Sequence, residues 1–445
     1  MLHDPSMSAA EQDFDVAVIG AGAAGLCAAA ELCQSGRSVL LLEARERIGG
    51  RIDTRHEAGV CLPIELGAEF IHGDAPVTRE LLRRAGLVAV DTSGRRSGRR
   101  RDGQQVRGGE FEQARGLLQQ AQALVEDQSV EEFLTSRLAS PGEQALAGFV
   151  RMMVEGFDAA DPRRASVKAI AAEWCGDSLQ GQARPLGGYG ALLGALARQL
   201  DPERSRLRLA TQVQAVEWGG AAVRILARSG RDAFNARARR AVIALPVSIL
   251  QLPPDSPGAV VFDPPLSEKR AALAGLAMGP VIKLVLQFRR PFWEQWHDGA
   301  FTDAGFLHAP DAVFPTLWTS LPFRAPLLTA WVGGPRAQRL QSASLDELTD
   351  LALGSAREAL GFTGTLQTEL VCARVHDWAS DPHALGAYSY IGVGGGQSPR
   401  LLAQPLAERL FFAGEAADPD SSGTVEAALQ SGRRAARRLI QCSGG

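Results

Sequence analysis

The chain has 445 residues, of which 45% are hydrophobic and 22% charged, a balance that allows a large buried core and excludes a disordered protein. Its length exceeds that of one ordinary domain and points to two or three. A formal net charge of −3 gives no electrostatic case for nucleic acid or an anionic membrane as the main partner.

In chain order, Met1 to Asp13 carries Asp4, Glu11 and Asp13 and no apolar stretch, so it does not read as a secretory signal. Asp15 to Ile19 is a β-branched run. Gly20-Ala21-Gly22-Ala23-Ala24-Gly25 follows and opens an Ala/Leu/Cys-rich stretch that stops near Gly36, and a second apolar run, Val39 to Leu42, ends on Glu43. The pattern predicts strand, tight turn, helix and strand. Gly20 suits the turn, Gly22 a close backbone approach to a pyrophosphate and Gly25 tight helix packing, while the helix N-terminus offers free N–H groups. Glu43 stands where a carboxylate accepts from ribose hydroxyls, and its charge disfavours the 2′-phosphate of NADP. The turn alone does not separate NAD from FAD. Glu43-Ala44-Arg45 continues to Gly49-Gly50-Arg51, a second glycine pair with a guanidinium fork for the same pyrophosphate. Leu66-Gly67-Ala68-Glu69-Phe70-Ile71-His72-Gly73 comes next.

Asp91 to Gly109 is rich in Arg and Gly and predicts a solvated hairpin loop; the Arg95 to Arg101 run reads as a solvated face and not as a nucleic-acid site. Gly187-Gly188-Tyr189-Gly190-Ala191-Leu192 precedes predicted strands over Leu207 to Val216, which includes Val213, over Ala222 to Ala227, and over Arg240 to Pro246. Val281 to Phe288 predicts a strand with Ile282, Leu284, Leu286 and Phe288 on one face and Lys283 on the other. Only three of the 47 basic residues are lysine, and lysine is the cation that burial can tune; with Gln287 on its face, an outward-facing Lys283 stays open on the residues alone. Trp378-Ala379-Ser380-Asp381-Pro382 leads to Gly386-Ala387-Tyr388-Ser389-Tyr390. Arg409 to Glu415 reads as a buried strand ending in Gly414-Glu415, and Gly423-Thr424-Val425 opens a helix whose apolar positions recur at helical spacing, a place to hold negative charge.

These strings together resemble the flavin-containing amine oxidases: monoamine oxidases, polyamine oxidases and flavin-dependent histone demethylases. The resemblance covers both ends and the middle of the chain. It implies an α/β fold in which a Rossmann-like FAD-binding domain (1–80, 200–262 and 395–445) is interleaved with an α+β substrate-binding domain (81–199 and 263–394). FAD would be held by Gly20, Gly22, Ala24, Gly25, Glu43, Ala44, Arg45, Gly50, Arg51, Gly67 and Ala68, by the backbone of Val213 at the adenine, and by Gly414, Glu415, Thr424 and Val425. Lys283 would hold a water at flavin N5, and Tyr388, in the stretch that Trp378 opens, would form one wall of an aromatic cage. Ala387 stands where monoamine oxidases carry the flavin-attaching cysteine, which implies non-covalent FAD; Thr424 stands where they carry the second cage tyrosine. That pattern, and His72, resemble the polyamine oxidases. Glu69 occupies the neighbourhood of the arginine of L-amino-acid oxidases and would favour a cationic amine.

The expected activity is oxidation of an amine, a polyamine or other secondary amine among the candidates: hydride passes from the α-carbon to flavin N5, the imine is hydrolysed to an aldehyde, and dioxygen is reduced to hydrogen peroxide. The alternatives are the same fold acting on an amino acid, porphyrinogen or polyene, or a flavoprotein without catalysis. Six scattered cysteines without a C-x-x-C favour reduced thiols and a cytoplasmic location. No metal is expected, nor a nucleic-acid or membrane partner, and the chain would act as a monomer or homodimer.

Overall fold

Uncharged β-branched and Leu-rich runs can be covered on both faces, and the first two such runs become the middle of a parallel sheet. The computed structural model describes residues 12–100, 103, 109–137, 141–176 and 181–442. Gln12–Ile19 lies parallel to Val39–Leu42 on one side and to Asp232–Ile243 on the other. Ser205–Arg208 extends the sheet beyond Val39–Leu42, and Leu410–Phe412 lies parallel to the end of Asp232–Ile243. Alternation then serves two cores. Val16, Val18, Val39 and Leu41 face the helices Ala23–Gln34, Tyr189–Ala197 and Val425–Gln441, and Ala17, Ile19, Leu40 and Leu42 face a second apolar cluster on the opposite side.

Two expected elements differ. Leu207 to Val216 is not one strand: Ser205–Arg208 ends at the sheet edge and Thr211–Glu217 starts an antiparallel meander with Val223–Ser229 and Asp232–Ile243. The break falls at Ala210, at φ 47°, where Ala210 N–H donates to Arg45 C=O and Thr211 N–H to Glu43 C=O. The backbone is turned by the segment that follows the second parallel strand. Arg95 to Gly98 is not a loop either; it is a short edge strand parallel to Ala304–His308, with Arg95 and Arg96 exposed as expected. Charged side chains suit such an edge. Residues 101–102 and 104–108 of that stretch lie outside the described residues.

A six-stranded sheet forms the second body, in the order Leu370–Asp377, Val281–Phe288, Leu327–Gly333, Thr316–Thr319, Ala304–His308, Arg95–Gly98. Its Ile282, Leu284, Leu286 and Phe288 face pack on the helix Leu345–Leu360. The opposite face, with Lys283, looks toward the parallel sheet, and a helical cluster that includes Pro141–Phe157 and Val167–Cys175 covers one flank. Tyr189–Ala197, near the end of the expected 81–199 segment, packs Tyr189, Leu192, Leu193 and Leu196 into the core around Ala23–Gln34. Among the described residues no helix is long and apolar enough to cross a membrane.

Candidate active site

The turn after the first strand is built from glycines for steric reasons. Gly20 has φ +101°, and a Cβ on Gly25 would lie 1.8 Å from Gly20 O, so only glycine lets the helix start this close to the strand. The helix Ala23–Gln34 has no side-chain cap. Its first N–H groups are therefore left for a ligand, and the dipole favours an anion there. Glu43, 6% exposed, accepts from Ala21 N–H at 2.8 Å and Arg45 N–H at 2.9 Å; two of its roughly four acceptor positions are used, which leaves room for hydroxyl donors. This donor and acceptor set fits the pyrophosphate and ribose of a dinucleotide.

Three stretches of chain close the same groove. Gly49 N–H donates to Ala21 C=O, which locks the second glycine pair to the first turn. Arg51 reaches Glu415 at 2.7 Å and Ala387 C=O at 3.0 Å. Glu415 is 4% exposed and also accepts from Ser389 Oγ at 2.6 Å and Gly423 N–H at 3.0 Å. Thr424 caps the closing helix, its Oγ1 accepting from Ala427 N–H at 3.0 Å. Val213 also lines the groove; Thr211–Glu217 pairs with Val261–Asp263 only from Ala215 onward, so one backbone edge of Val213 is outside that ladder. Of the expected cofactor residues all but Gly25 line this groove; Gly25 acts from behind, through packing. Arg45 has a second partner that its sequence context does not show, a two-pronged ion pair with Asp381 at 2.6 and 2.9 Å.

The groove continues into the cavity in front of Lys283. Lys283 is 1% exposed, which removes the outward-facing reading: the strand is covered on both faces. Its Nζ donates to Glu69 Oε2 at 2.8 Å and to Gly67 C=O at 3.0 Å. Glu69 also accepts from Arg184 Nε at 2.8 Å and from Trp318 Nε1 at 3.1 Å. Burial alone would raise the Glu69 carboxyl, but the two cations beside it outweigh burial and hold it at about 2. Its charge is thus answered inside the protein. His72 pairs with Gln182 at 3.3 Å, and burial pushes it down to about 4, so it is neutral at pH 7. Trp378 is 2% exposed and donates to Leu66 C=O at 3.0 Å. Tyr388 donates to Phe157 C=O at 2.5 Å.

Thr424 supplies no second aromatic wall, yet Tyr388 does not stand alone. Trp331 lies near-parallel to it, ring centroids 6.5 Å apart and planes within 17°. Sequence reasoning missed Trp331, Trp318 and Arg184, which come from strands whose register decides what they face. It also missed Asp158 and Glu173. These hydrogen-bonded carboxyls line the cavity beside Tyr388, and burial, then their mutual repulsion at Asp158, raises both. Trp174 Nε1 donates to Asp158 Oδ2 at 3.1 Å. The groove runs on from the glycine turn past Lys283 and Tyr388 to Arg96 and His308, so the expected cofactor residues and the residues in front of Lys283 line one continuous space.

Comparison with known proteins agrees with this geometry. The family described as "Flavin containing amine oxidoreductase" matches residues 23–440. The chain is 27% identical to a lysine-specific histone demethylase 1 homolog 3 of Arabidopsis thaliana over 96% of its own length, but spans only 30% of that protein. It is 27% identical to polyamine oxidase 4 of Oryza sativa subsp. japonica, covering 96% of this chain and 90% of that one. Cyclohexylamine oxidase from Brevibacterium oxydans IH-35A superposes with a TM-score of 0.80 at 23% identity, over 97% of this chain and all of that one.

Proposed function

We propose, for a chain that belongs to the flavin-containing amine oxidoreductase family, that it oxidises an amine with FAD held non-covalently. The observation that carries the reading is continuity: the uncapped helix at Ala23, Glu43 and Arg51 share one groove with Lys283, Tyr388 and Trp331. Bound FAD supplies a two-electron acceptor that no side chain can provide. No cysteine is among the described residues that line the groove, in keeping with non-covalent attachment.

The chain's own residues have separable tasks. The N–H groups at Ala23 and the Glu43 carboxylate hold the pyrophosphate and ribose. The start of the closing helix at Thr424 and Val425 places a positive dipole end beside the flavin edge. Tyr388 and Trp331 present ring faces to the amine, and such faces favour a nearby ammonium. Burial raises both Asp158 and Glu173 beside Tyr388, Glu173 to about 7, which places there a carboxyl that can take up the proton the amine must lose. Lys283 has three donors and spends two; the third holds a water in front of the cofactor.

The partners in this reading are an amine and dioxygen, with neither nucleic acid nor membrane, and the chain acts as a monomer or homodimer. All six cysteines are free thiols, which supports a cytoplasmic location. The test is anaerobic: the yellow protein is mixed with arylalkylamines, cycloalkylamines, diamines and spermidine while the flavin absorbance is followed. Bleaching by one of these is the expected outcome. Bound FAD that none of them reduces, with bleaching by an amino acid, porphyrinogen or polyene instead, would overturn the reading.

A further inference from the structure

The outer reach of the cavity carries groups that the reacting end does not use. Arg96, on the edge strand, lies opposite Phe306, and alternation puts Phe306 and His308 on one face; all three line the cavity. The Arg96 guanidinium stands 4.8 Å from the centre of the Phe111 ring and 5.7 Å from that of Phe306. Among the described residues no carboxylate pairs with it. His308 is 4% exposed, its Nδ1 lies 3.4 Å from Thr316 Oγ1, and its Nε2 has no partner. Buried polar atoms are nearly always paired. An unpaired ring nitrogen in a cavity wall marks the place of a ligand group, and the exposed Arg96 guanidinium stands beside it at the solvent side of the cavity. Burial, then the nearby Arg96 charge, push His308 down to about 3, so the ring is neutral. Of the two ring tautomers, the one with the hydrogen on Nε2, in which the Thr316 hydroxyl donates to Nδ1, is the one that can donate to an anion.

The inner end carries carboxyl groups instead. Asp158 and Glu173 lie there, close enough to Tyr388 to act on its hydroxyl. Between the two ends runs a wall of rings, Tyr388 to Trp331 at 6.5 Å, Trp331 to Trp318 at 5.7 Å and Trp318 to Phe306 at 6.1 Å. The cavity is therefore lined by carboxyl groups where an amine would react, apolar along its length and positive toward Arg96.

We infer that the substrate is an amine with a carboxylate at its far end, the carboxylate held by Arg96 and His308 Nε2–H while the ammonium lies at Tyr388. The inference rests on the amine-oxidation reading and narrows it. One guanidinium and one neutral donor match a single negative charge. A diamine of the same length would bring its second ammonium against Arg96.

The test compares ω-aminohexanoate and its shorter and longer homologues with hexylamine and hexamethylenediamine, as reductants of the FAD-loaded enzyme without oxygen. The expected result is half-saturation for the best amino acid at a concentration about tenfold or more below that for hexylamine. In Arg96→Gln the two values converge, and Arg96→Lys, which keeps the charge without the fork, recovers part of the difference. Equal or better use of the diamine by the wild type overturns the inference, as does a loss in Arg96→Gln that is the same for all three compounds. Calorimetric titration of hexanoate, which has no amine to oxidise, separates the two readings. Arg96-dependent hexanoate binding with no amine able to bleach the flavin would sink amine oxidation and keep the anion site. Amine bleaching without any Arg96-dependent preference would do the reverse.

Discussion

Lys283 and Glu69 form a buried pair whose two members have different work. In Lys283→Met, Glu69 keeps Arg184 and Trp318, so FAD binding survives, while flavin reduction or reoxidation slows by about 10² or more if the lysine manages a proton or water. Stopped-flow absorbance reads both half-reactions, and no change in either would end that role. Glu69→Gln is the structural counterpart. It leaves Lys283 and Arg184 without their anion, an uncompensated buried charge that costs about 3–5 kcal/mol. The pH dependence has a definite sign. The folded carboxyl sits at about 2 against an ordinary 4.5, so its stabilisation is present above 4.5 and is lost as the pH falls from there toward 2. Thermal melts across that window should fall more steeply for the wild type than for Glu69→Gln, although the variant melts lower at neutral pH.

Helix starts control the cofactor side. A methyl group at Gly25 meets the backbone oxygen of Gly20 at 1.8 Å, and no side-chain rotation relieves a clash with main chain; Gly25→Ala should give a colourless protein that does not take up added FAD. Thr424→Ala removes one cap bond from the closing helix and should cost about 1 kcal/mol, seen as a lower melting temperature and weaker FAD binding. These starts were readable in the amino-acid string because the turn chemistry is local: Gly20, Gly22, Gly25 and Thr424 act on residues within a few positions. Lys283 was readable as a strand residue, but the residues alone left an outward-facing alternative open, since Gln287 shares its face and Glu69 comes from a distant loop. The break at Ala210 was hidden because its cause is the carbonyls of Glu43 and Arg45. The strand Arg95–Gly98 was hidden for the same kind of reason, being held by a backbone edge some two hundred residues later in the chain. Trp331 faces Tyr388 only through the pairing of separate strands.

On the scale of the whole molecule, the groove joins stretches that are remote along the chain. Arg45, from the end of the first βαβ unit, is clamped to Asp381, which also accepts from His376 at 3.0 Å. Burial would raise Asp381, but these partners hold it well below the usual carboxylate range. Asp381→Asn loosens this clamp, and both thermal stability and FAD affinity should fall together in that variant. On the proposed reading FAD binds against the same stretches, so removing it should lower the melting temperature; at a hundredfold excess over Kd the linkage is about 2.7 kcal/mol. Leu410–Phe412 lies parallel to the end of Asp232–Ile243, and Glu415 and Thr424 follow it directly. Synthesis proceeds from the N-terminus at roughly 5–20 residues per second, so the glycine turn emerges long before its partners. On the proposed reading, a growing polypeptide carries half a nucleotide cradle until Leu410–Phe412 and Val425–Gln441 leave the ribosome, which makes flavin capture a late event of biogenesis.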